Sequence, residues 1–267
     1  MAEVLNFEHN GITVNATESP EAMGGLGDNV IGLVGTAPKA DPLIPRNAPF
    51  RINSFTTHAL LDPTGSEEGT LYHAVYQILK VVKVPVYVVI VEAGATPADT
   101  VNAVIGGVEP ATGRKLGLAA LGSVPEDLTI IGAPGFTGTK AVASEFASFG
   151  KRIKARVVLD GKDASVADQV TYSQELGGAD LGFDRCLVVH NMPAVYSKAA
   201  KKNVFLSPSS LAIAALAKVK QWESPGNQVT YAEDVSRVVE YNILDTSTEG
   251  DLLNRYGVSY YARTVLG

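Results

Sequence analysis

Between Leu128 and Tyr196 the hydrophobic positions repeat in one order: a short apolar run, a helical stretch, then another short apolar run. LTIIGAPG leads into a helical stretch from about Thr139 to Lys154, followed by ARVVLDG. A second helical stretch from about Ser165 to Leu176 leads into CLVVHNMPAVY. Strands alternating with helices at this spacing predict successive βαβ units and a parallel sheet. The strand centres (128–131, 157–159 and 187–189) are continuous apolar runs, as expected of strands covered by helices on both faces. Val142, Phe146 and Phe149 form the packing face of the first helix, and Ser165 with Asp168 makes a capping-box pattern for the second.

Upstream, 30–37 (VIGLVGTA) reads as a strand ended by Pro38. No helix follows Gly32 and Gly35, so they predict close approach of another backbone and not a phosphate loop. A second short strand is expected over 50–53. Leu71, Val75, Ile78, Leu79 and Val82 recur at helical spacing and predict an amphipathic helix over 69–82. VYVVIV (86–91) reads as a buried strand. Pro97-Ala98-Asp99 opens a further helix, with proline in the first turn where its missing donor is harmless. The loop 109–113 is a candidate subdomain boundary.

Downstream, Ser207-Pro208 begins a helix expected to run through Trp222. The stretch 235–244 reads as a strand, 248–256 as a short helix closed by Gly257, and 258–266 as strand-like. Residues 1–28 lack a long periodic pattern. Within them FEHNGITV (7–14) reads as two extended pieces about an Asn10-Gly11 turn. A lone strand pair is marginal in water, so it needs a sheet edge, its own or a neighbour's.

Composition changes this picture in few places. The 267 residues carry a net charge of −6, which implies no general attraction to nucleic acid. Glu3, Glu8, Glu18, Glu21 and Asp28 lie in a segment without Lys or Arg. Such a segment reads either as a solvated tail or as an interaction arm. The single cysteine, Cys186, opens a predicted buried strand and allows no internal disulfide. No basic leader with an apolar core and no apolar run near 18 residues is present, so neither signal peptide nor membrane span is expected.

The candidate chemistry is sparse. The loop GAPGFTGTK (Gly132 to Lys140) follows the first central strand, where phosphate loops occur. Thr139 separates Gly138 from Lys140, and Ala141 stands where a magnesium-binding hydroxyl is needed. Gly132, Gly135 and Gly138 are spaced by three, which also breaks the dinucleotide fingerprint. Asp160 ends the next strand, at the place of a ribose-binding acid or of an ordinary turn residue. His9, His58, His73 and His190 show no metal-ligand spacing, and no nucleophile elbow occurs. Lys151, Arg152, Lys154 and Arg156 form one basic cluster, and Lys198, Lys201 and Lys202 another. They lack the interleaved aromatics of a nucleic-acid surface. They read as solvated helix ends or as the complement of an acidic arm from another copy. Neither catalysis nor a cofactor is indicated, and a nucleotide-binding α/β enzyme using Gly132 to Lys140 stays as the alternative reading.

A series of short segments carries a resemblance. In order they are FEHNGITV, VIGLVGTAP (30–38), NAPFRINS (47–54), GTLYHAVYQIL (69–79), VYVVIVEAG and TGRKLGLAAL (112–121). IIGAPGF, QWESPGN (221–227) and LLNRYGVSYYAR (252–263) follow. With them the chain resembles the tail sheath proteins of contractile phage tails and R-type bacteriocins. The resemblance implies a structural protein that forms stacked hexameric rings, a helical sheath, around an inner tail tube protein. It implies arms that add strands to neighbouring subunits and contraction by rigid-body movement. Phe7, Ile12 and Val14 then become candidate subunit contacts. Further implied partners are baseplate and tail terminator proteins, with no direct nucleic acid and no membrane insertion. The implied location is the virion tail, assembled in the host bacterial cytoplasm.

The expected layout is an α/β fold with a mostly parallel sheet flanked by helices. It comprises an extended N-terminal arm (1–28), an α/β core (29–206) and the start of a tube-facing C-terminal α+β part (207–267). Sheath proteins of this family continue past the equivalent of Gly267, so that last part is expected to be incomplete.

Overall fold

The computed structural model describes residues 29–162, 164–178, 185–220, 223–226, 232–242, 244 and 247–262. Among these, the strands of the main sheet are β1 (Ile31–Thr36), β2 (Pro49–Ile52) and β3 (Val86–Val91). A short hairpin, β4 (Gly107–Val108) and β5 (Lys115–Leu116), interrupts the series before β6 (Ile130–Gly132), β7 (Arg156–Asp160) and β8 (Cys186–Val189). A second sheet holds β9 (Pro193–Ser197), β10 (Lys202–Phe205) and β11 (Asp234–Val235), and β12 (Val258–Ser259) returns to the first. The seven-stranded sheet runs β12-β8-β7-β6-β1-β3-β2, parallel throughout except for β2 at one edge.

The helices are α1 (Phe55–His58), α2 (Leu71–Val81), α3 (Pro97–Ile105), α4 (Leu118–Leu121), α5 (Lys140–Ile153), α6 (Val166–Leu176), α7 (Pro208–Lys218) and α8 (Glu249–Arg255). Alternate residues of each central strand feed two separate cores. Val34, Tyr87, Val89, Ile131, Val157, Leu159 and Val188 face α3, α4, α5 and α6, where Phe146, Phe149 and Tyr172 pack. Ile31, Leu33, Val86, Val88, Ile90, Ile130 and Val158 face α2 and α7, with Leu71, Val75, Ile78 and Ile213. Two-sided burial is why these strands read as unbroken apolar runs. The parallel α/β architecture follows the expectation.

Local chemistry sets the helix ends. Thr96 accepts from the Asp99 amide, and the Asp99 carboxylate accepts from the Thr96 amide, closing a capping box ahead of Pro97. Ser165 likewise accepts from the Asp168 amide. The reciprocal bond goes to the Ser165 hydroxyl, 2.6 Å from Asp168 Oδ2. Gly257, at φ 71°, follows α8 as the expected left-handed stop.

Several expectations are corrected. Gly32 and Gly35 do not admit another backbone. A Cβ at Gly32 would lie 2.9 Å from Leu128 Cδ1, and one at Gly35 2.5 Å from Thr70 Oγ1, so side chains of the covering layers fill the space. The run CLVVHNMPAVY holds two strands of different sheets. The 109–113 loop is the turn of the β4–β5 hairpin. The helix expected through Trp222 ends at Lys218, and Trp222 lies outside the described residues.

Of the strand expected over 235–244, Val235 lies in β11 (Asp234–Val235) and Asn242 forms an isolated bridge. Beyond β11 side chains and single backbone bonds tie the chain: Asn191 Nδ2 donates to the Arg237 carbonyl (2.8 Å), the Glu240 amide donates to Glu249 (3.3 Å), and the Glu240 carbonyl accepts from the Gly250 amide (2.9 Å). Of the stretch 258–266, Val258 and Ser259 pair with β8, and residues 263–267 lie outside the described residues. Phe7, Ile12 and Val14 also lie outside them.

Candidate functional site

The loop after β6 sits at the carboxyl ends of the strands. There β1 has β3 on one side and β6 on the other, so the chain reverses its direction of travel across the sheet. In open α/β sheets this crevice is where ligands bind. Here it is closed from within. Asp160, at the end of β7, is 3% exposed. Its Oδ2 accepts from the Gly135 amide (2.8 Å) and the Thr137 hydroxyl (2.9 Å), and its Oδ1 accepts from the Ser209 amide (2.8 Å) in the first turn of α7. The Asp160 amide donates in turn to Thr137 Oγ1 at 2.7 Å.

The donors of the glycine-rich loop and of a helix N-terminus therefore converge on an anion, as they do in phosphate sites. That anion is the protein's own carboxylate. Burial pushes the Asp160 carboxyl above the ordinary carboxylate range, while the bonds from Ser209, Thr137 and Gly135 pull it back. Lys140, which a phosphate loop would need pointing inward, is on the surface 3.7 Å from Glu175.

A cavity of about 360 Å³ lies beside this closure, between the start of α2, the first turn of α7 and the β9–β10 hairpin. Glu67 and His73 are its titratable groups. Glu67 takes a left-handed conformation (φ 57°), and the Asp62 side chain gathers the loop before it by accepting from the Thr64 and Gly65 amides (3.0 and 3.1 Å). The Glu67 carboxylate accepts from the Ser197 hydroxyl (2.5 Å) and the Lys198 amide (3.2 Å), and lies 3.6 Å from His73 Nε2. Burial lowers the His73 pKa and Glu67 opposes it. The carboxylate thus lies between serine and histidine, an order that pins the β9–β10 turn to the loop and leaves the serine unactivated. No motif in the sequence signalled this group.

The remaining candidates have structural partners. His58 Nε2 donates to the Tyr72 carbonyl (2.8 Å), and its ring packs against the Tyr72 and Tyr76 rings. Lys151 and Arg152 lie in the last turn of α5, where cations complement the helix dipole, and Arg152 lies 4.9 Å from the Phe149 ring centroid. Arg156 Nη2 donates to Asn29 Oδ1 at 3.2 Å. Among the described residues no group of three or more His, Cys, Asp or Glu side chains is placed to hold a metal ion.

No family model matches the sequence. The chain is 27% identical over 273 aligned positions to a protein of Pseudomonas aeruginosa (strain UCBPP-PA14) described as "Putative prophage major tail sheath protein", covering 97% of this chain and 67% of that one. Among solved structures it is similar to the helical sheath of the anti-feeding prophage in the contracted state (TM-score 0.56, 17% identity, 98% of this chain and 65% of the other). It is also similar to the PVC sheath of an extracellular contractile injection system in the contracted state (TM-score 0.60, 13% identity, 98% and 64%). The fold is that of a contractile sheath protein. The resemblance carried by the short segments therefore holds along nearly the whole chain. The chain spans about two thirds of the length of these sheath proteins.

Proposed function

We propose that this chain is a structural, non-enzymatic subunit of a contractile tail sheath. It polymerises as stacked hexameric rings around an inner tail tube protein and contracts by rigid-body rearrangement of the α/β body. Residues 1–28 act as an arm that adds a strand to a neighbouring subunit, with Phe7, Ile12 and Val14 as side-chain anchors. The acidic arm is attracted to the basic turn at Lys198, Lys201 and Lys202 or to the basic end of α5. Baseplate and tail terminator proteins cap the assembly, which forms in the host bacterial cytoplasm and functions in the virion tail. No helix among the described residues is long and apolar enough to cross a membrane.

The observation that carries this reading is the match to a tail sheath relative over 97% of the chain, together with a sheath fold. The test is negative-stain microscopy of the chain, in its full reading frame, mixed with its tube protein. Hollow helical assemblies are expected, and monodisperse monomers under all conditions would overturn the reading. The nucleotide-binding alternative loses its physical basis, because Asp160 already occupies the donors that a phosphate would need. Calorimetric titration with ATP and NAD should give no heat of binding. Micromolar binding lost in Lys140→Ala would reinstate it.

A further inference from the structure

Asn29 lies where the proposed arm meets the body, and it is 2% exposed. Its Nδ2 donates to the carbonyls of Ala217 (3.1 Å) and Val219 (3.3 Å) at the end of α7. Its Oδ1 accepts from Thr129 Oγ1 and from Arg156 Nη2, both at 3.2 Å. Both donors and both acceptor positions of the carboxamide are therefore used, on three separate segments. The neighbouring backbone adds Val30 N to Thr129 Oγ1 (2.9 Å) and Ile31 N to the Pro85 carbonyl (3.0 Å). From there the chain enters β1, an interior strand paired in parallel with β3 over six residues and with β6 over three.

We infer that Asn29 is a mechanical anchor, a positioning residue that delivers tension on residues 1–28 to the sheet as a whole. The inference rests on the reading of residues 1–28 as an arm linking subunits. Tension at the amino end of β1 acts along the strand, so it loads the β1–β3 register in shear and the six rungs share it. Asn29 spreads the same pull to the end of α7 and to the segments that open β6 and β7. Without it, tension would first strip Val30 and Ile31 from their partners one bond at a time.

The test is constant-force unfolding of the full chain in two geometries. One pulls between residue 1 and Ala95→Cys, an exposed position past the carboxyl end of β3, and so shears β1. The other pulls between Ala95→Cys and Ala167→Cys on the exposed side of α6, and so avoids the arm. Asn29→Ala should raise the rupture rate about tenfold more in the first geometry than in the second, the rate equivalent of one or two lost hydrogen bonds. Thr129→Val, which keeps the side-chain shape, should shift rates in the same direction and carries the test if Asn29→Ala does not fold. Equal increases in both geometries, or none in either, would overturn the anchor. That outcome is separable from the sheath reading, since it leaves assembly around a tube intact. Failure to assemble would in turn leave the force anisotropy measurable.

Discussion

Strands β8 and β9 are separated by three residues in the chain and belong to different sheets. In β8, Val188 and Val189 face opposite cores, and both are at most 3% exposed. In β9, Val195 faces a small cluster with Leu206 and Leu211, while Tyr196 on the other face is 58% exposed. Phe205, opposite Ala194 on the same outer face, is also exposed. The larger sheet is held by apolar burial on both sides. The smaller one is half-covered and is positioned by polar contacts: Glu67 to Ser197 and Lys198, and Ser236 to Met192. One sheet has the construction of a rigid body. The other is an attachment whose placement rests on few bonds.

The sharpest way to break this contrast is to cut into each core. Phe146→Ala should destabilise the protein by about 3–5 kcal/mol in equilibrium urea unfolding, with an unchanged m-value. Asp160→Asn should cost about 2–3 kcal/mol, because a carboxamide turns an N–H toward donors that both carboxylate oxygens now satisfy. Val195→Ala should cost only about 1–2 kcal/mol by area buried. Its hydrogen exchange should quicken over 193–205 and stay slow in β1, β3 and β7. Equal costs for Phe146→Ala and Val195→Ala would erase the distinction between the sheets.

Smaller still, Glu67→Gln should cost about 1 kcal/mol and loosen the same 193–205 segment. The mildest probe is pH. Burial lowers the folded-state pKa of His58 and of His73 below the ordinary histidine value of 6.5. Their contribution is complete above that value and is lost as pH falls through the folded pKa values. Asp160, shifted upward, has the opposite sign: its contribution is complete below 3.8 and is lost as pH rises through its folded value. On acidification from pH 7 toward 5 the histidines therefore lower the melting temperature while Asp160 raises it, and His58→Gln should remove part of the histidine loss.

The same contrast decides what could be read in the sequence. β1, β3, β6, β7 and β8 announce themselves because helices cover both faces, so their centres are unbroken apolar runs and charged side chains such as Arg156 and Asp160 stand only at strand ends. β9, β10 and β11 do not. Tyr196 and Asn203 interrupt the apolar pattern, and the break between β8 and β9 is a buried His190-Asn191 pair that reads as a strand end. The stretch after Val235 misleads because Val238, Val239 and Leu244 suggest a strand, while its backbone is held by the Asn191 and Glu249 side chains and by single bonds to Met192 and Gly250. For the crevice, glycine spacing departs from both phosphate-binding patterns. Residue type alone left Asp160 open between a ribose ligand and a turn. Only three-dimensional placement brings Gly135, Thr137 and Ser209 onto it, across separations of 23 to 49 residues.

The Asp160 closure also fixes how the crevice is held together. A crevice that carries its own counter-anion keeps its loop and helix amides satisfied from within the chain. The Gly135, Thr137 and Ser209 donors stay engaged on Asp160 whether or not phosphate is at hand. The seating of the Gly135 loop against the first turn of α7 is thus set as the chain folds.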